Sequence, residues 1–252
     1  MALLSKEGGA KKRFSNDKKA RSFRKRPFCS AVIVGAGLSR RMDGEDKLFL
    51  EICGAPVLAH TLSAFQNSSC IDEIIVVTRA EAFQQVGALC VSHNIGKVSK
   101  ILLGGETRLE SVMNGMLGVS KKAKLIAVHD AARPCVGEAI ISRTVGTAAE
   151  FYAAAPGIPV ISTLKRVNGG TIRETVDRTD LVEIQTPQVF DADLIKAALT
   201  NAADKGADIT DDCMAVELLG LPVHITEGSA SNIKITTRED IVFAESILRN
   251  SR

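Results

Sequence analysis

Tryptophan is absent from this 252-residue chain, tyrosine occurs once and phenylalanine nine times. A surface that stacks the bases of a single strand needs more aromatic rings than this, and no nucleic-acid partner is expected. No apolar run approaches the length of about 18 residues that marks a membrane span, so none is expected either. The N-terminus lacks the apolar stretch of a secretory signal. Six cysteines stand at 29, 53, 70, 90, 135 and 213. None forms a Cys-x-x-Cys pair, and their spacing outlines neither a zinc site nor a disulfide framework. The expectation is a reduced, cytoplasmic protein.

Charge is nearly balanced, at +3, but unevenly spread. Residues 1–28 hold ten Lys or Arg (Lys6, Lys11, Lys12, Arg13, Lys18, Lys19, Arg21, Arg24, Lys25 and Arg26) against two acids, Glu7 and Asp17. That segment shows no hydrophobic periodicity and cannot bury enough apolar area to offset its ordering entropy. It reads as a basic, disordered tail, with a solvated extension favoured over a targeting peptide or an anion-binding arm. Residues 29–252 carry 22 bases against 27 acids, so the body is mildly acidic. At 45% hydrophobic and 24% charged residues overall, the chain can form one sizeable core.

From residue 29 short apolar runs alternate with helical spacings. Strands are predicted at 31–34, 74–77, 101–103 and 125–128, and helices over 56–67, 80–92, 107–119 and 137–151. Continuous apolar strands between helices imply a parallel sheet covered on both faces. At 156–178 the pattern changes. Asn168-Gly169-Gly170 marks a turn between the run Val160-Ile161 and 171–176, which reads as a protruding β-hairpin. Helices follow near 191–204 and 211–219, strands near 222–226 and 232–236, and a helix over 238–250.

Ligands of parallel sheets bind at the carboxyl ends of the strands, and the unusual polar residues fall there. The first group is Gly35-Ala36-Gly37-Leu38-Ser39-Arg40-Arg41-Met42 with Lys47. A Gly-rich turn after a strand lets backbone N–H groups approach phosphate. A dinucleotide fingerprint would place a third Gly where Arg40 stands, and the Walker A spacing is missing. The second is His129-Asp130-Ala131-Ala132-Arg133-Pro134. Asp130 after a buried strand is suited to Mg²⁺, or to capping the helix that begins near Gly137; Arg133 beside it is equally suited to a structural ion pair. The third is Gly104-Gly105-Glu106-Thr107-Arg108 with Ser111. Its turn can meet a base edge, or Thr107 can simply cap the next helix.

Together these segments resemble the 2-C-methyl-D-erythritol 4-phosphate cytidylyltransferases. The matching stretches are G-x-G-x-S-R-R-M at 35–42, Lys47, G-G-E-T-R-x-x-S-V at 104–112 and V-H-D-A-A-R-P at 128–134. T-V-D-R at 175–178, Q-T-P-Q-x-F at 185–190, D-I-T-D-D at 208–212 and S-N-I-K-I-T at 231–236 follow in family order. The resemblance implies an α/β, Rossmann-like nucleotidyltransferase fold, mostly parallel, with helices on both faces of the sheet and a β-hairpin dimerisation arm at about 156–178. The domain would span 29–252, with 1–28 as an appended tail.

The implied reaction joins CTP to methylerythritol phosphate and releases pyrophosphate, a step of non-mevalonate isoprenoid synthesis. The resemblance implies that Arg41, Lys47 and Lys234 act on the phosphates and that Asp130 helps hold Mg²⁺ or another hard divalent cation. It implies that Gly35, Ala36, Gly37, Gly105, Glu106 and Ser111 surround the nucleotide. Arg133, Thr163, Arg178 and Thr186 match residues that bind the acceptor, Thr163 on an arm delivered into the partner subunit of a homodimer.

The chain departs from the family's pattern at Val34-Gly35-Ala36-Gly37, at Glu106, and in the acidic loop Asp43-Gly44-Glu45-Asp46, which lacks the proline often found before the lysine. The nearest alternative is a ribitol-5-phosphate cytidylyltransferase, disfavoured by Ala131-Ala132-Arg133 and Thr175-Val176-Asp177-Arg178. An NAD-linked oxidoreductase rests only on Gly35-x-Gly37. A degenerate, non-enzymatic relative is disfavoured by the intact set Arg41, Lys47, Asp130 and Lys234.

Overall fold

Runs of β-branched residues, buried on both sides, become the centre of a sheet. The computed structural model describes residues 26–37 and 46–250. In chain order the elements are β1 (Cys29–Val34), β2 (Glu51–Ile52), β3 (Ala55–Pro56), α1 (Val57–Asn67), β4 (Glu73–Thr78), a 3₁₀ turn (Ala80–Ala82), α2 (Phe83–Ser92), β5 (Val98–Leu103) and α3 (Arg108–Gly118). They continue as β6 (Leu125–Asp130), α4 (Glu138–Phe151), β7 (Ala153–Pro159), β8 (Leu164–Asn168), β9 (Thr171–Val176), β10 (Val182–Ile184), β11 (Gln188–Asp191), α5 (Ala192–Asp204), α6 (Asp212–Glu217), β12 (His224–Glu227) and α7 (Arg238–Asn250).

The main sheet has the order β10-β7-β11-β6-β1-β4-β5, with β12 also paired to β7. Strands β6, β1, β4 and β5 are mutually parallel, while β11 runs antiparallel between β6 and β7. Alternation along each strand divides the core. Ala31, Ile33, Ile74 and Val76 pack with α1, α2, α4 and α7 on one face. Val32, Ile75, Val77, Ile126 and Val128 pack with α3, α5 and α6 on the other. The expected fold class is therefore the observed one.

Three expectations change in detail. The hairpin's first strand is β8, not Val160-Ile161, because β7 already carries 156–159 into the main sheet against β10 and β12. Residues 232–236 form no strand; Ile235 N–H reaches Ala132 O at 2.8 Å, and side chains hold the rest of that segment. Residues 26–28, placed in the tail by composition, are tied to the domain. Arg26 makes a two-pronged pair with Asp72 at 2.7 and 2.8 Å, and Phe28 O accepts from Lys124 and Leu125. The tail before them, and Leu38, Ser39, Arg40, Arg41 and the loop to Glu45, lie outside the described residues.

Candidate active site

Asp130 closes β6 beside Val34, the last residue of β1. Strand alternation sends it to the α3/α6 face, and the residue before it, His129, to the other, against Phe65. It does not cap α4, whose N-cap is Gly137 with no side-chain bond. Three cations instead close on its carboxylate. Arg108 Nη1 donates to Oδ1 at 2.9 Å. Lys234 Nζ lies 3.0 Å and Arg133 Nε 3.4 Å from Oδ2. Burial alone would raise the carboxyl pKa, but Lys234, Arg108 and Arg133 hold it well below the usual carboxylate range. Asp130 therefore stays an anion.

Arg108 is the first residue of α3 and Asp212 the first of α6. Arg108 Nη2 donates to Asp212 Oδ2 at 2.6 Å, so one guanidinium bridges two carboxylates. Asp212 is fully buried, and burial pushes its pKa up against the pull of Arg108. Gln188 fixes this corner: its Oε1 accepts from the N–H groups of Asp212 and Cys213 at 2.9 and 3.1 Å, and its Nε2 donates to Asp211 at 2.8 Å. The bridge was missed in the sequence, which displayed Arg108 and Asp212 only inside separate motifs. A first-turn arginine facing a strand-end aspartate was the available signal.

The two glycine-rich loops lie against each other. Gly104 N–H donates to Thr78 O at 2.9 Å. A Cβ on Gly104 would come within 2.3 Å of the Ala36 Cβ, so only glycine allows this approach. Beyond it, Gly105 N–H donates to Ser111 Oγ at 3.1 Å. Thr107 does cap α3, in a capping box with Glu110, while its loop still faces the ligand side. The cleft between the loops holds about 520 Å³, within the range of small-molecule sites of about 300–1,000 Å³. Gly35, Ala36, Gly37, Lys47, Gly105, Glu106, Ser111, Asp130 and Lys234 all line it, joined by Arg108 and Thr107.

Lys47 Nζ donates to Ile235 O at 2.8 Å. That carbonyl belongs to the residue after Lys234, so both ammonium groups stand on one segment. The segment is stitched in place. Asn232 Nδ2 donates to Thr186 O at 2.9 Å, and Arg133 Nη1 to Asn232 O at 2.7 Å. Asp240 Oδ2 accepts from the N–H and hydroxyl of Thr236 at 2.7 Å each and from Thr237 N–H at 2.9 Å.

Burial alone would raise the Asp240 pKa, but these bonds hold it below its ordinary value. A depressed carboxyl pKa gives stability that is full above the unfolded value and lost as pH falls through the folded one. Asp240→Ala is expected to cost about 1–2 kcal/mol at neutral pH, as loss of a cap does. The gap from the parent, read from urea midpoints, should close progressively below about pH 4.

The remaining expected site residues lie elsewhere. Arg133 sits behind Asp130 and does not line the cleft. Thr186 is 4% exposed and is a support, not a lining residue. Its Oγ1 accepts from Asp130 N–H at 3.1 Å and bonds His129 Nδ1 at 2.9 Å. Burial lowers the His129 pKa to about 3, so the ring is neutral at neutral pH and accepts the Thr186 hydroxyl proton. Thr163 and Arg178 are exposed at the base of the β8–β9 hairpin, where Arg178 Nη1 donates to Ile161 O, and neither lines the cleft of its own protomer.

Among the described residues no group of three or more His, Cys, Asp or Glu side chains forms a metal cage. Mg²⁺ does not require one: it keeps several waters and takes one or two carboxylates plus substrate phosphates. Asp130, a cleft-facing anion, meets that requirement.

A strand-end carboxylate with Lys234 against it and Lys47 in the same nucleotide-sized cleft fits the class of nucleotidyltransferases. The profile of the family described as IspD, 2-C-methyl-D-erythritol 4-phosphate cytidylyltransferase, matches residues 29–250. A curated enzyme of that name from Halalkalibacterium halodurans is 41% identical over 220 residues, covering 87% of this chain and 96% of its own. One from Caldanaerobacter subterraneus is 44% identical over 223 residues, covering 87% and 98%. A crystal structure of 4-diphosphocytidyl-2C-methyl-D-erythritol synthase from Anaerococcus prevotii superposes with a TM-score of 0.79 at 30% identity, covering 88% of this chain and 96% of that one. A Thermus thermophilus 2-C-methyl-D-erythritol 4-phosphate cytidylyltransferase gives 0.73 at 33% identity, covering 86% and 98%. The chain belongs to the 2-C-methyl-D-erythritol 4-phosphate cytidylyltransferase family. It is an enzyme of non-mevalonate isoprenoid biosynthesis, and its reaction is cytidylyl transfer.

Proposed function

We propose that the cleft binds CTP and 2-C-methyl-D-erythritol 4-phosphate together and transfers CMP from the first to the second. The observation that carries this reading is one cleft lined by Lys47, Lys234 and Asp130, with Lys47 Nζ bonded to the residue after Lys234 and Lys234 Nζ against Asp130. Gly35, Ala36, Gly37, Gly105, Glu106 and Ser111 surround the base and ribose. Lys47 and Lys234, with Arg41, bind the triphosphate. The acceptor phosphate attacks the α-phosphorus in line; one P–O bond forms, the bond to the β-phosphate oxygen breaks, and pyrophosphate leaves. A phosphate monoester is already an anion at neutral pH, so no strong base is needed. The protein's work is to hold two anions together and offset charge on the α-phosphoryl oxygens. Asp130 would hold Mg²⁺ together with phosphate oxygens, and the bound ion supplies Lewis-acid charge stabilisation. Arg108 and Thr186 keep Asp130 in place.

Residues 26–252 form the catalytic domain on this reading, with 1–25 appended. Six free cysteines, none of them paired, are consistent with a cytoplasmic setting. The active unit is a homodimer. Strands β8 and β9 make a separate two-stranded sheet with Val167 and Ile172 each 61% exposed. An isolated hairpin is marginal in water, which favours its burial on a second copy. Thr163 and Arg178 then reach the partner's cleft to bind the polyol phosphate.

Mixed dimers test this. Lys47→Ala and Arg178→Ala are each expected to be nearly inactive alone. Unfolded and refolded together, they should recover about one quarter of parent activity, because half the dimers carry one intact composite site. No recovery would place Arg178 in its own protomer's site, and full activity of Arg178→Ala alone would place it outside the reaction. Chelation of divalent cations should abolish turnover, with Mg²⁺ restoring it.

A further inference from the structure

The turn that carries Lys47 is tied to three walls. Asp46 O accepts from Phe49 N–H at 3.0 Å, and Asp46 Oδ1 accepts from Leu48 N–H at 3.1 Å. Leu48 is 4% exposed, its Cδ1 lies 2.9 Å from where a Cβ on Gly35 would stand, and its carbonyl accepts from Leu58 N–H at 2.9 Å. The third wall is Arg79. It follows Thr78 at the carboxyl end of β4, and its Nη2 pairs with Asp46 Oδ2. The pair is largely shielded, with side-chain exposures of 23% and 13%. Neither residue lines the cleft, and Arg79 falls in none of the matching motifs.

We propose that Arg79 is a positioning residue, whose ion pair with Asp46 holds the backbone from which Lys47 enters the cleft. A lysine has a long flexible stem, and the bond from Nζ to Ile235 O helps to hold this one. That bond is given up when the ammonium turns to a phosphate. The turn still sets where the stem starts, and Asp46 is the residue immediately before it. A planar guanidinium on a carboxylate fixes direction as well as distance. Breaking a pair this shielded costs some stability, and its further consequence falls on geometry, where small displacements of a catalytic group are costly.

The inference rests on Lys47 acting on the triphosphate, and the experiment separates the two. The full-length enzyme is assayed with CTP, Mg²⁺ and methylerythritol phosphate as parent, Arg79→Met, Arg79→Lys, Asp46→Asn, the double variant Arg79→Met with Asp46→Asn, and Lys47→Ala. Each neutralising single variant should lower kcat by about tenfold or more, leaving both KM values within about twofold when assayed well below its thermal midpoint, which loss of a shielded pair lowers. The double variant should be no worse than the worse single, since both remove one interaction, and Arg79→Lys should retain more kcat than Arg79→Met. Parent-like kcat in both singles, or losses that multiply in the double, would overturn the latch. So would a raised KM for CTP in Arg79→Met with a lowered one in Asp46→Asn, which would make Arg79 a direct phosphate ligand. If Arg79→Met fails to fold, Asp46→Asn, which keeps the volume and the Leu48 bond, decides alone. Loss in Lys47→Ala with none in the neutralising variants refutes only the latch; turnover retained in Lys47→Ala refutes the site.

Discussion

Lys47→Ala is expected to lower kcat by about 10²–10⁴, equivalent to about 3–5 kcal/mol of transition-state stabilisation. Its ammonium lies in a cleft with Lys234, held there by a hydrogen bond to Ile235 O rather than standing in bulk water. The charge it meets grows as the acceptor anion approaches the α-phosphorus, so the loss falls on kcat more than on KM. The fold should survive, because Nζ contacts a segment that Asn232, Arg133 and Asp240 hold independently. Steady-state kinetics by pyrophosphate release, with a thermal melt alongside, check both halves. A large rise in KM for CTP with kcat intact would reassign Lys47 to ground-state binding.

Arg108→Ala is expected to be the most destabilising single change at the site. The guanidinium neutralises two carboxylates at once, and Asp212 is fully buried. Removing one partner of a buried ion pair leaves an unpaired charge and costs about 3–5 kcal/mol. The lower part of that range applies because Arg108 retains 22% side-chain exposure. Asp212→Asn in the same chain should restore part of the loss, since it removes the more deeply buried of the orphaned charges. Urea unfolding of the parent, the single and the double variant measures this; a double variant less stable than Arg108→Ala would show that the bridge is not electrostatic. Catalysis should fall as well, because Asp130 Oδ1 loses its donor.

The layout of these groups was largely legible before any coordinates. Strand β6 showed itself as an apolar run that ends in a histidine and an aspartate, and the rule that ligands sit at carboxyl ends picked out the three loops. Helix α7, expected from about 238 to 250, is found at Arg238–Asn250. The reading failed where local pattern and tertiary contact conflict. Ile233 and Ile235 look like a strand, but Ile235 is buried in the core and its N–H bonds Ala132 O rather than a neighbouring strand. Thr186 looks like a ligand-binding polar residue, yet its hydroxyl serves Asp130 and His129 across 56 and 57 residues of sequence. Arg108 and Asp212 lie 104 residues apart, and no periodicity joins them. The cleft was therefore readable, and the bonds that stiffen it were not.

The most direct test of the account is ³¹P NMR of the enzyme with CTP, Mg²⁺ and either 2-C-methyl-D-erythritol 4-phosphate or ribitol 5-phosphate. With the methylerythritol substrate, the triphosphate resonances should give way to pyrophosphate and to a new pair of coupled diphosphate signals, in the parent and not in Lys47→Ala. Formation of that pair with ribitol 5-phosphate alone, or at parent rate in Lys47→Ala, would contradict it.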